Sequence, residues 1–138
     1  MNLNLIQFYD ISPPKDDLQK IIDNIYSIKQ KEKGRVVSNI GGWQYELNDD
    51  DRKIIKPLED VINQIVPVYM KECAPNTFAV SHKIKNVWYN VNPKGAYNIS
   101  HSHHYNGLSG VFYLQTSDGG IYFHDTSGIP QCLMQNST

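Results

Sequence analysis

Val87-Trp88-Tyr89-Asn90-Val91 alternates aromatic or β-branched side chains with a polar one, and Pro93-Lys94-Gly95 follows it as a turn. Residues 96–103 can form the returning strand, 108–115 a third, and 121–124 a fourth, entered through the Asp118-Gly119-Gly120 turn. Upstream of this meander the pattern is helical. Ser12, two prolines and the acids Asp16 and Asp17 read as a helix start. Leu18, Ile21, Ile22, Ile25 and Ile28 then recur at helical spacing until Gly34. A second helix is expected from near Asn48, with Asp49, Asp50 and Asp51 at its positive end and Leu58, Val61, Ile62, Ile65, Val66 and Tyr69 along one side. Pro57 and Pro67 should split or kink it. Helices first and strands after predict a mainly β, α+β protein with its N-terminal helices laid on the outside of an antiparallel sheet or barrel.

Between the helices, Ser38-Asn39-Ile40-Gly41-Gly42-Trp43-Gln44 reads as a loop or as a short strand that joins the sheet late. The sequence has neither a GxGxxG nor a Walker-type phosphate loop, so a nucleotide site has no support. Its 138 residues, 40% of them apolar, suffice for one modest core, so a single domain over 1–138 is expected. Thirteen basic and 14 acidic residues leave a net charge of -1, with no electrostatic footprint for nucleic acid or an anionic membrane. No apolar run approaches a membrane span, and MNLNLIQFYD lacks the marks of a signal peptide, so a soluble, cytoplasmic chain is expected. Cys73 and Cys132 form neither a disulfide framework nor a zinc pattern, which fits a reducing compartment.

The chemistry-bearing residues gather in His101-Ser102-His103-His104. On a strand, alternate side chains share a face, so His101 and His103 would stand with Cβ atoms roughly 7 Å apart. Two neutral imidazoles suit iron, zinc, copper or nickel, given one further protein ligand and open positions. A solvated His-rich turn is the plainer alternative. His104 is a reserve ligand or a bystander, and His82 and His124, without spaced partners, read as structural.

The run Trp88-Tyr89-Asn90-Val91-Asn92-Pro93-Lys94-Gly95-Ala96-Tyr97-Asn98, then His101-Ser102-His103, then Leu108-Ser109-Gly110-Val111-Phe112-Tyr113-Leu114, resembles the 2-oxoglutarate/Fe(II) oxygenases of marine bacteria and of phages of marine cyanobacteria. The 38–44 segment looks like the N-terminal signature of the same family. The resemblance implies a double-stranded β-helix, or jelly roll, with Fe(II) and 2-oxoglutarate as cofactors. His101 would take the first ligand position. His103 would take the second, where such enzymes generally place a carboxylate. Asn90 can donate to a bound ligand, while Tyr89 and Tyr113 can offer hydroxyls to the co-substrate or serve as ordinary packing residues. Related barrels continue into strands that carry a distal histidine and a basic anchor. After Asp125 this chain has no histidine, arginine or lysine, so a partial jelly roll lacking its last strands is expected. The open edge left there would favour a homo-oligomer. The expected activity is that of a dioxygenase that hydroxylates a small-molecule or protein substrate unidentified by the sequence, in the host cytoplasm if phage-encoded. A catalytically silent jelly-roll module for binding or assembly, or a cupin-like metal protein that dispenses with 2-oxoglutarate, are the alternatives.

Overall fold

A computed structural model describes residues 6–73, 82–103, 107–124 and 130–133. In chain order they form helix α1 (Lys15–Lys31), strands β1 (Asn39–Ile40) and β2 (Trp43–Glu46), a 3-10 turn (Asp51–Ile55) and helix α2 (Lys56–Cys73). Strands β3 (Trp88–Val91), β4 (Tyr97–Asn98), β5 (Ile121–His124) and β6 (Pro130–Leu133) follow. This is a small α+β protein with two compact units, residues 1–102 and 103–138.

In the first unit the helical periodicity is realised with shifted ends. Helix α1 starts after Pro14 rather than Ser12, and the Pro14 carbonyl accepts the N–H groups of Asp17 and Leu18 at 3.0 and 3.1 Å. Ile21 and Ile25 are its buried contacts. The second helical run is divided just before Pro57, whereas Pro67 does not split it. The Asn48 side-chain oxygen accepts the N–H groups of Asp50 and Asp51, each at 2.9 Å, and so opens the 3-10 turn. α2 begins one residue before Pro57, which sits in the first turn, where a missing N–H costs nothing. Pro67 is held inside α2. The Arg52 guanidinium bonds Glu59 at 2.6 Å and the carbonyls of Ile84 and Lys85 at 3.3 and 3.1 Å, tying this corner to the chain that leads into β3.

The strands pair differently from the expected meander. β2 runs antiparallel to β3, from Trp43 opposite Val91 to Glu46 opposite Trp88, and Leu47 extends the ladder by donating to the Val87 carbonyl at 3.0 Å. β1 runs antiparallel to β4, with Asn39 opposite Asn98 and Ile40 opposite Tyr97. Segment 38–47 therefore pairs with segment 87–99, and the glycine-bearing stretch is a pair of short strands. The turn at Pro93-Lys94-Gly95, closed by the Ala96 N–H on the Pro93 carbonyl at 2.9 Å, falls inside this pairing instead of joining strands paired with each other. The returning strand expected over 96–103 is confined to Tyr97–Asn98. A ladder lasts only while its neighbour presents backbone groups. Ser38 supplies the last one, accepting the Ile99 N–H at 2.8 Å, whereas the Val37 N–H is already given to Asn39 Oδ1 at 2.9 Å.

Alternation along the β2–β3 ladder separates two faces. Trp43, Leu47 and Tyr89 belong to the apolar face and are buried with Ile21, Ile25, Ile55, Leu58, Met70 and Cys73. The Trp43 indole N–H donates to the Glu32 carbonyl at 2.9 Å, and the Tyr89 hydroxyl lies 3.4 Å from Asn24 Oδ1, so this face turns onto α1 and its end. Trp43 and Tyr45 stack with ring centroids 5.8 Å apart. Gly34 is needed beside them. Its φ is +72°, and a Cβ there would stand 2.5 Å from the Gln44 carbonyl oxygen and 2.7 Å from the Trp43 ring.

In the second unit the expected strand at 121–124 is present. Its partner is β6, with Ile121 opposite Leu133 and His124 opposite Pro130. The strand expected over 108–115 is not formed. Among the described residues, no helix is long and apolar enough to cross a membrane.

Candidate functional site

The outward face of the β2–β3 ladder carries amides, one ion pair and, opposite Glu46, the half-buried Trp88. Arg35 enters it by a bridge to Gln44, its N–H donating to the Gln44 carbonyl at 2.8 Å. Its side chain pairs with Glu46 and donates from Nε to Gln44 Oε1 at 3.1 Å. Gln44, only 4% exposed, donates in turn to Asn90 Oδ1 at 3.2 Å. A second chain of amides flanks the first. Asn92 donates to Asn98 at 2.9 Å, and Asn98 donates to Ser38 Oγ at 3.1 Å. Asn39, also buried, donates to the carbonyls of Arg35 and Gly42 at 3.1 and 3.0 Å. Among the described residues, no buried side-chain nitrogen or oxygen lacks a partner, the condition under which polar groups can be buried at modest cost.

The candidate co-substrate residues are distributed unevenly over this frame. Asn90 is exposed on the polar face. Tyr89 points to the opposite, apolar face and is buried, and that burial pushes its phenol well above the ordinary range, with a smaller push from the Asp51 carboxylate. The ladder thus does not bring Tyr89 and Asn90 together. Tyr113 belongs to the second unit, where its ring is 46% exposed and desolvation raises its hydroxyl. Tyr45 is raised chiefly by its hydrogen bond to Asp51, at 2.7 Å, and then by burial.

His101 and His103 are both exposed and lie past the end of β4, so strand alternation does not govern which way they point. His101 Nδ1 stands 2.8 Å from the Ile99 carbonyl oxygen. A carbonyl can only accept, so Nδ1 carries the proton and a neutral ring keeps its lone pair on Nε2. Metal-binding histidines are commonly fixed in this way, with one nitrogen donating to a carbonyl while the other faces the ion. The His101 ring therefore fits a ligand's role. Among the described residues, no group of three or more His, Cys, Asp or Glu side chains could hold a metal ion. His82 is exposed and lines a concavity with Arg52, Glu59 and Asn63. His104 and the His124 side chain lie outside the described residues.

Gln44 and Arg35 are the residues that sequence reasoning missed. The signal was the period of two in Gly42-Trp43-Gln44-Tyr45-Glu46, which sets Gln44 and Glu46 on the face opposite Trp43.

Residues 86–136 match the model of a family described as "Putative 2OG-Fe(II) oxygenase". The match spans fewer than half of the 138 residues and takes in β3, β4, His101, His103, Tyr113 and β5. No curated protein and no solved structure matches the chain.

Proposed function

We propose that the chain is an oxygenase dependent on Fe(II) and 2-oxoglutarate, with its site in the stretch that resembles that family, and that the stretch belongs to a jelly-roll barrel. The match over residues 86–136 carries this reading. The His101 ring supports it, since its protonated Nδ1 on the Ile99 carbonyl leaves Nε2 as the nitrogen suited to iron. His103 is assigned as the second ligand. Two peptide units separate the pair, so their Cα atoms stand within about 7 Å of each other whatever the local conformation. Asn90 is assigned to the co-substrate, because its carboxamide lies on the polar face of the ladder that leads into this stretch.

Bound together, Fe(II), 2-oxoglutarate and dioxygen supply an oxidative decarboxylation that yields succinate and carbon dioxide and places one oxygen atom in a C–H bond of the substrate. The chain's own contribution is to hold and orient. The Ile99 carbonyl fixes the His101 tautomer, and the ladder keeps Asn90 at a constant place beside its neighbours.

The test is succinate release with Fe(II), ascorbate and 2-oxoglutarate, run on the whole chain and on His101→Ala. Release above the protein-free background that falls at least about tenfold in the variant is expected, the loss typical of disrupting a metal's support. Background-level release, or release indifferent to the substitution, overturns the proposal.

A further inference from the structure

A carboxamide has two orientations of nearly equal shape, and its neighbours decide between them. For Gln44 the decision is unambiguous. Arg35 Nε lies 3.1 Å from Gln44 Oε1, and a guanidinium can only donate, so the oxygen must face Arg35 and the amine must face the other way. That amine meets Asn90 at 3.2 Å. Because the NH2 of a carboxamide can only donate, Asn90 must turn its own oxygen inward to receive it, which directs the Asn90 NH2 outward. The opposite arrangement would set donor against donor at a glutamine that is 4% exposed, where water cannot relieve the mismatch.

We infer that Arg35 and Gln44 fix the polarity of the Asn90 carboxamide, making Gln44 a positioning residue that turns this face into a hydrogen-bond donor for a carboxylate or carbonyl ligand. Glu46 completes the device. By pairing with Arg35 it neutralises the guanidinium and holds it against the ladder, so the face offers a neutral donor and not a free positive charge. The identity of the ligand as 2-oxoglutarate rests on the proposed function, while the direction of the amides does not.

The two parts separate in one nuclear magnetic resonance experiment on the ¹⁵N-labelled whole chain, with side-chain amides assigned through Asn90→Ala and Gln44→Glu. In the wild-type protein the Gln44 amine protons should exchange slowly with water and those of Asn90 quickly. Gln44→Glu still accepts from Arg35 but offers Asn90 only an acceptor. The Asn90 amine should then turn inward, its exchange should slow, and its oxygen should face out. Titration with 2-oxoglutarate should shift the Asn90 amine in the wild type and bind at least about tenfold more weakly in Gln44→Glu, although the thermal midpoint stays within a few degrees. A merely structural glutamine would move the midpoint and leave the affinity alone. Slow exchange of the Asn90 amine in the wild type overturns the inference, as does a Gln44→Glu variant that binds 2-oxoglutarate as the wild type does. The expected exchange pattern with no 2-oxoglutarate shift upholds the fixed polarity and counts against the proposed function.

Discussion

The two faces of the β2–β3 ladder share one backbone and one register, yet they do opposite work. On one, Trp43 and Tyr89 are withdrawn from water and fastened to α1 through Glu32 and Asn24. On the other, Arg35, Gln44 and Asn90 use almost no apolar area and instead fix the direction of each donor and acceptor. Burial is non-directional and scales with area, whereas a hydrogen-bond chain contributes little net stability but specifies orientation. The apolar face should therefore govern whether the unit folds, and the polar face what it can hold.

Breaking the apolar face should have the largest effect. Trp43→Ala removes a side chain only 8% exposed and should cost about 3–5 kcal/mol in urea unfolding. Gly34→Ala should come next, at about 2–4 kcal/mol, because it combines a left-handed backbone with a clash against the Gln44 carbonyl and the Trp43 ring. Its expected signature is a matching change in Trp43 fluorescence.

A third test sharpens the contrast through pH. The Tyr89 phenol is raised in the folded protein, first by burial. Below an unfolded value of about 10, both states keep the proton and the group is neutral to stability. Above it the unfolded chain releases a proton that the folded chain retains, so stability falls by up to about 1.4 kcal/mol per pH unit from this residue. Unfolding curves between pH 8 and 11 should therefore show a steeper alkaline loss for the wild type than for Tyr89→Phe. At the other extreme, Asn90→Ala on the polar face takes the acceptor from the buried Gln44 amide and should cost about 1 kcal/mol, checked by thermal unfolding. If it destabilises as much as Gly34→Ala, the division of labour between the faces is wrong.

Much of this architecture was legible beforehand, and the parts that were not share a cause. Ile21 and Ile25 at helical spacing announce α1, and Pro57 marks where the second helical run divides, because periodicity and proline geometry are local properties. Strand pairing is not local. The alternation in Val87-Trp88-Tyr89-Asn90-Val91 marks a strand, but nothing in it names Trp43–Glu46 as the neighbour. For the same reason residues 108–115 read as a strand on pattern alone, and 96–103 was drawn longer than the Ser38 carbonyl allows. The site inherits that error. His101 and His103 were placed on one face by extending a strand that stops at Asn98, whereas the feature that orients His101 is the Ile99 carbonyl two residues earlier.

The nested pairing of 38–47 with 87–99 also sets an order of assembly. Glu46 meets Trp88 42 positions later, whereas Asn39 must find Asn98 59 positions later. The entropy of closing a loop rises slowly with its length and favours the shorter closure by about 0.3 kcal/mol, and Arg52 reaching the carbonyls of Ile84 and Lys85 adds to that preference by shutting nearly the same loop. From there pairing is expected to zip outward past Gly42, with the β1–β4 end forming last. Substitutions at Asn39 or Asn98 should accordingly speed unfolding while leaving the folding rate almost untouched. On this order the strand that leads directly to His101 should open before the β2–β3 ladder does, leaving the contacts of Trp43 and Tyr89 with α1 and its end in place.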